Sequence, residues 1–155
     1  MVYLSLGANL GDRERQLHLA LTEIERRVGR VVHRSDLFTT QPWGFQSEHP
    51  FLNACAAVDT SLPPPDLLAA TQDIERDLGR TTKRHPTGPY TDRLIDIDIL
   101  LYDDLCIDLP DLQIPHPRIA ERRFVLEPLA QIAPQVVIPP TGRTASQLLA
   151  QWPAD

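Results

Sequence analysis

Apolar positions alternate with other residues over Val2–Gly7 and lead into the turn Gly7-Ala8-Asn9-Leu10-Gly11, a pattern that predicts a strand feeding a helix. Asp12 stands where a helix N-cap is expected, and Leu17, Ala20, Leu21, Ile24 and Val28 follow at helical spacing until Gly29 closes the element. Val31–Thr39 and Phe51–Thr60 are rich in strand formers, with a Pro- and Gly-containing loop between Thr40 and Pro50. The run Pro63-Pro64-Pro65 suits the first turn of a second helix, whose buried stripe is Leu67, Thr71, Ile74 and Leu78 and which ends at Gly79. Arg80–Arg93 has few apolar anchors and predicts a long mobile loop, after which Leu94–Tyr102 returns as a strand.

The predicted order is strand, helix, strand, strand, helix, strand, so the expected fold is α+β with a ferredoxin-like βαββαβ core: an antiparallel sheet with helices packed on it. A C-terminal extension follows. It is expected to hold short helices at Phe124–Ile132 and Thr144–Gln151, with a small strand pair formed between Leu105–Ile107 and Val136–Ile138. A chain of 155 residues suits one domain, spanning 1–155.

Composition narrows the function classes. The formal charge is −6 and the isoelectric point about 5.3, which argues against broad attraction to nucleic acid or an anionic membrane. Neither a signal peptide nor a long apolar span is evident, so a cytoplasmic location is expected. Cys55 and Cys106 lack any C-x-x-C spacing and read as structural thiols, Cys55 within an apolar run, although a disulfide is left open. Fifteen basic residues include one lysine, a bias to which no function attaches.

The chemistry concentrates in Asp92-Arg93-Leu94-Ile95-Asp96-Ile97-Asp98-Ile99-Leu100-Leu101. In a strand, Asp96 and Asp98 share one face and Ile95, Ile97 and Ile99 the other. Two like charges so close are unfavourable, and a hard divalent cation such as Mg²⁺, which shares its shell with phosphates, would offset them. The bland alternative is a solvated strand face, but the flanking apolar residues argue for a central strand. Downstream, Ile114-Pro115-His116-Pro117-Arg118 and Arg122-Arg123-Phe124 set a histidine and guanidiniums on a proline-stiffened turn, and guanidiniums suit phosphate oxygens. Gln72 and Glu75 sit on one side of the second helix, where ordinary surface is the default reading. Asn53 interrupts an apolar strand, and a buried amide needs partners that a flat heterocycle could provide. Trp43, Phe51 and Phe124 could stack on such a ring, although core packing is the default. The opening glycine turn lacks the Gly-Lys-Ser/Thr ending of a P-loop.

Four segments in order carry a family resemblance: Leu6-Gly7-Ala8-Asn9-Leu10-Gly11-Asp12, Phe51-Leu52-Asn53-Ala54, the Asp92–Leu100 segment, and Pro115-His116-Pro117-Arg118 with Arg122-Arg123-Phe124-Val125-Leu126. From Tyr3 to about Pro139 the chain resembles the 6-hydroxymethyl-7,8-dihydropterin pyrophosphokinases. The resemblance implies an enzyme of folate biosynthesis that transfers diphosphate from ATP to the hydroxymethyl group of 6-hydroxymethyl-7,8-dihydropterin, leaving AMP. It implies two Mg²⁺ ions held by Asp96 and Asp98, with Arg80, Arg93, Asp96, Asp98 and His116 as the catalytic set. ATP would meet Leu68, Gln72, Glu75, Lys83, Arg84, Arg93, Ile99, His116, Arg118 and Arg122. The pterin would meet Gly7, Thr40, Trp43, Phe51, Asn53, Tyr90, Asp96 and Phe124. The loop after Gly79 is longer than the usual family form, so Tyr90 stands in for a loop tryptophan and Lys83 or Arg84 for a basic contact, while Asp111 replaces a basic residue of some relatives. Partners are small molecules, with neither nucleic acid nor membrane, and a monomer is expected. Competing readings are a non-catalytic ferredoxin-like binding module and a metal-dependent phosphohydrolase.

Overall fold

The computed structural model describes residues 1–40, 50–79 and 95–152. The first strand, β1 (Val2–Ala8), is followed by helix α1 (Arg13–Arg27). Asp12 caps α1 as expected, its side chain accepting from the Arg15 N–H at 3.1 Å, while Arg26 and Arg27 fall in the last turn, where the helix dipole favours cations. Strands β2 (Gly29–Arg34), β3 (Phe38–Thr40) and β4 (Phe51–Thr60) precede helix α2 (Pro64–Asp77), and Pro64 and Pro65 open that helix without losing any internal bond. Strand β5 (Asp96–Tyr102) completes the main sheet. Its order is β2-β4-β1-β5, every neighbour antiparallel, with β3 also pairing with β4. That is the order expected of a ferredoxin-like core.

Alternation assigns each sheet face a separate core. Val2, Leu4, Leu6 and Ala8 of β1 join Ile95, Ile97 and Ile99 under α1 and α2. On the opposite face, Cys55, Leu100 and Leu101 pack with helix α3 (Arg123–Ile132) and helix α4 (Ala145–Ala150) through Val125, Leu126, Leu129 and Ala145. A bulge in the β1–β5 ladder shifts the register between Tyr3 and Leu4, so Leu100 and Leu101 both serve the second core. Among the described residues, no helix is long and apolar enough to cross a membrane.

Four local expectations need correction. The single strand expected over Val31–Thr39 is interrupted, because Ser35 diverts the backbone. Its N–H donates to the Cys55 carbonyl and its Oγ accepts from the Cys55 N–H, both at 2.9 Å, while the next amide, Asp36, donates to Gln131 Oε1 of α3 at 2.6 Å. Gly29 does not merely end a helix, since it begins β2. The strand pair expected between Leu105–Ile107 and Val136–Ile138 is replaced by two local hairpins, β6 (Ile107–Leu109) with β7 (Leu112–Ile114) and β8 (Val137–Ile138) with β9 (Arg143–Thr144). Short loops close at lower entropic cost than a pairing across some thirty residues. The C-terminal helix begins one residue later than expected, because Thr144 is its cap, in a reciprocal box with Gln147. The loops expected at 41–49 and 80–93 lie outside the described residues, as does the start of the last core strand expected at Leu94; within them β5 begins at Asp96.

Gly29 lies against Thr60 so closely that an added Cβ would stand 2.2 Å from the Asp59 carbonyl oxygen. Since that neighbour is backbone, Gly29→Ala is expected to cost about 2–3 kcal/mol, in the range of overpacked sites. A lowered urea midpoint with unchanged turnover of the folded fraction is the expected result.

Candidate functional site

The register of three strands builds one half of the site. Gly7 pairs with Asn53 on one side and with Asp96 on the other, and the next row on the same face is Cys55, Ser5 and Asp98. The face is polar here and apolar further along, where Leu100 and Leu101 meet α3. Asn53 and Asp96 are buried, and Asp98 is half-buried. Gly7 fits the row because it has no side chain: a Cβ there would lie 3.2 Å from Asn53 Oδ1 and 3.6 Å from the Phe51 ring. The Asn53 amide also donates to the Phe38 carbonyl at 3.4 Å, a long bond that ties its side chain to β3. Phe51 is seated next to α1, where Arg13 donates to the preceding Pro50 carbonyl at 2.8 Å.

The second half is a cleft of about 690 Å³ between α2, β5 and the β6–β7 hairpin, a volume within the usual range for small-molecule sites. Leu68, Gln72 and Glu75 form one wall, Asp98 and Ile99 the strand side, and Asp111 and Gln113 the hairpin side. His116 and Pro117 close one end. The His116 turn is fixed from both directions: its N–H donates to the Leu100 carbonyl at 2.9 Å, and its Nδ1 accepts from the Arg118 N–H at 3.2 Å. In the neutral ring that bond assigns the proton to Nε2. Arg122, buried, and Phe124 stand together at the start of α3, the guanidinium carbon 5.6 Å from the ring centroid, a cation–π separation.

The expected residues thus fall into connected groups. Leu68, Gln72, Glu75, Asp98, Ile99 and His116 line the cleft, while Gly7, Phe51, Asn53 and Asp96 share the adjoining sheet face. Arg118 is exposed, and neither it nor Arg122 is among the cleft's lining residues. Trp43, Arg80, Lys83, Arg84, Tyr90 and Arg93 lie outside the described residues, as does the side chain of Thr40. Sequence reasoning missed Ser5, which faces Asp98, and the hairpin residues Pro110, Leu112 and Gln113. Ser5 was readable from strand alternation once the pairing of β1 with β5 is known; the hairpin was hidden by the wrong partner assigned to that segment.

Among the described residues no group of three or more His, Cys, Asp or Glu side chains converges as a metal cage. The donor set is instead two carboxylates on one strand face beside an open cleft. That suits a hard cation whose remaining positions are filled by water and phosphate oxygens, so the residues present fit Mg²⁺.

Fold and site together define a small antiparallel α+β domain with two carboxylates on one strand face, Asp98 of them lining a cleft of small-molecule size, an arrangement that suits a metal-dependent phosphotransferase. The family model for 7,8-dihydro-6-hydroxymethylpterin-pyrophosphokinase (HPPK) matches residues 3–134, and the chain belongs to that family. The 2-amino-4-hydroxy-6-hydroxymethyldihydropteridine pyrophosphokinase of Porphyromonas gingivalis is 51% identical over 135 residues, covering 86% of this chain and 91% of that protein. The Pseudomonas aeruginosa protein of the same name is 42% identical over 153 residues, covering 98% and 91%. A crystal structure of wild-type Plasmodium falciparum HPPK-DHPS with pteroate has a TM-score of 0.78 at 16% identity, covering 97% of this chain and 44% of that one, a likeness of fold.

Both thiols are free, Cys55 buried and Cys106 exposed, so no disulfide joins them. Burial pushes the Cys55 thiol far above its ordinary value of 9.0. Burial, then the charges of Cys55 and Asp103, pushes the Tyr3 phenol above 10.0. A group whose pKa is raised by folding keeps its proton in the fold after the unfolded chain has released it, so stability is full below the unfolded value and falls as pH rises past it. Stability to urea is therefore expected to decline from about pH 9 upward, and Cys55→Ala should flatten the first part of that decline. An unchanged pH slope in this variant would refute the assignment.

Proposed function

We propose that the two halves of the site seat the two substrates of this pterin pyrophosphokinase, ATP in the α2–β5–hairpin cleft and 6-hydroxymethyl-7,8-dihydropterin on the Asn53–Gly7–Asp96 face. The observation that supports this reading is the pairing of Gly7 with both Asn53 and Asp96, which puts an amide suited to a ring edge on the same sheet face as the carboxylates with β1 between them. The reaction is one of folate biosynthesis. The hydroxymethyl oxygen forms a bond to the β-phosphorus of ATP, the bond from that phosphorus to the α,β-bridging oxygen breaks, AMP leaves, and the hydroxyl proton is released.

In this reading Asn53 hydrogen-bonds the pterin edge, Phe51 and Phe124 provide apolar walls, and Trp43, Thr40 and Tyr90 complete the slot. Holding the acceptor oxygen in line with the β-phosphorus converts an encounter into a unimolecular step. Asp96 and Asp98 would hold two Mg²⁺ ions. When bound, these ions supply positive charge against the polyphosphate and a template for its oxygens. His116, through Nε2–H, and Arg122 donate to phosphate oxygens, joined by Arg93, Arg118 and, from the segment after α2, Arg80 with Lys83 or Arg84. Leu68 and Ile99 flank the nucleotide, and Gln72 and Glu75 line the same wall. The enzyme is taken to act as a cytoplasmic monomer.

Asp96→Asn and Asp98→Asn each remove a charged oxygen donor while relieving repulsion between neighbouring carboxylates. Each is expected to lose about a thousandfold or more in turnover. Their apo melting temperatures should hold or rise slightly, since the repulsion between two carboxylates that the fold holds on one strand face is relieved. Mg²⁺-dependent conversion of ATP to AMP, measured beside apo melting curves, checks both; near-normal turnover in both variants would sink the metal assignment.

Asn53→Ala should weaken pterin binding by about 1–3 kcal/mol, the cost of leaving heterocycle polar groups unpaired, with ATP binding little changed. Equal losses for the two ligands by calorimetry would contradict the slot. A phosphohydrolase reading predicts free phosphate or diphosphate without pterin, whereas the transferase reading predicts AMP formation that depends on pterin.

A further inference from the structure

An edge strand exposes a row of backbone amides that must find partners or remain loose. Strand β5 is one edge of the main sheet, and β2 is the other. Each edge has one amide closed by a glutamate from a helix: the Val31 N–H of β2 donates to Glu25 of α1, and the Ile97 N–H of β5 donates to Glu75 of α2. The two bonds differ in setting. The Glu25 bond is exposed, whereas the Glu75 bond is buried, 2.8 Å long, and made by a side chain that is only 3% exposed.

Ile97 is the residue between Asp96 and Asp98. Its side chain is locked in the core under α1 and α2, and its amide is held by Glu75, so both the inward and the edgeward directions of this residue are set. The two carboxylates on either side then have little freedom to tilt about the strand axis. What the site gains from this bond is a fixed acceptor for the Ile97 amide, buried between α2 and β5.

We propose that Glu75 is a positioning residue for the reaction, pinning β5 at Ile97 so that Asp96 and Asp98 present their oxygens at a constant spacing, and that the bond rather than the charge is what the site requires. This rests on the metal reading of the two aspartates. Misplacing reacting groups by an ångström lowers rates by about a hundredfold, so a loosened strand acts on turnover without touching the substrates.

The test compares Glu75→Gln, which keeps an acceptor oxygen and the side-chain shape, with Glu75→Leu, which keeps only bulk. In the full chain without metal, amide exchange at Ile97 is expected to quicken about tenfold or more in Glu75→Leu and to stay near wild type in Glu75→Gln. Half-saturating Mg²⁺ should rise and kcat fall, each about tenfold, in Glu75→Leu, with Glu75→Gln rescuing most of both. Loss in Glu75→Gln as large as in Glu75→Leu would overturn the proposal, because charge would then be the requirement. Rapid exchange at Ile97 with normal Mg²⁺ dependence would overturn it too. Glu75→Gln decides the matter alone should Glu75→Leu fail to fold, since an isosteric side chain that loses Ile97 protection or metal response refutes the pin. Failure of the metal reading shows separately, as wild-type turnover that is indifferent to Mg²⁺.

Discussion

Everything at the site depends on β1 lying between β4 and β5 in a single antiparallel register. Side chains alternate with a period of two, so a slip of one residue on either side would carry Asn53 or the aspartates into the core beneath α1 and α2. The isoleucines prevent that slip. Ile95, Ile97 and Ile99 are buried with Leu4 and Leu6, and exchanging them for carboxylates would bury two charges among leucines. The hydrophobic face therefore fixes the polar one, and the chemistry on one side of the sheet is held by packing on the other.

The helices contribute in unequal ways. Helix α2 supplies both a cleft wall and, through Glu75, a link to the strand that bears the carboxylates. Helix α3 closes the far half of the opposite sheet face and brings Arg122 and Phe124 to its rim. Ser35 and Asp36 tie that helix to the sheet by bonds to Cys55 and Gln131. Two small cores back to back, with the polar row of Asn53, Gly7 and Asp96 at the open end of one of them, are how a chain of this length covers a sheet and still leaves a polar face.

Much of this was legible because it rests on short-range pattern. The alternation of Asp96-Ile97-Asp98-Ile99 announced a two-faced strand, the cap at Asp12 and the prolines at α2 announced helix starts, and the buried amide at Asn53 stood out in an apolar run. What could not be read depends on partners distant in sequence. Nothing local in Ser35 says that Cys55 of the neighbouring strand will meet it, and nothing in Ile107 says that its partner is Ile114 rather than a residue near Val136. Glu75 read by itself as ordinary helix surface, only the family resemblance placing it near a nucleotide, and its hold on Ile97 spans 22 residues and two elements. The side chains that local pattern could not place are those whose meaning lies in a backbone group of another strand.

The bulge in the β1–β5 ladder has a consequence for how this sheet can vary. Between Tyr3 and Leu4 the count of residues on the two strands falls out of step, so the strand end at Tyr102 and the carboxylate end at Asp96 are keyed to β1 independently. The kink works as a slip joint: strain or altered length beyond Leu101 can be absorbed there, without being transmitted as a rotation of Asp96 and Asp98. A change at the Tyr102 end of the ladder is thereby uncoupled from the orientation of the two carboxylates.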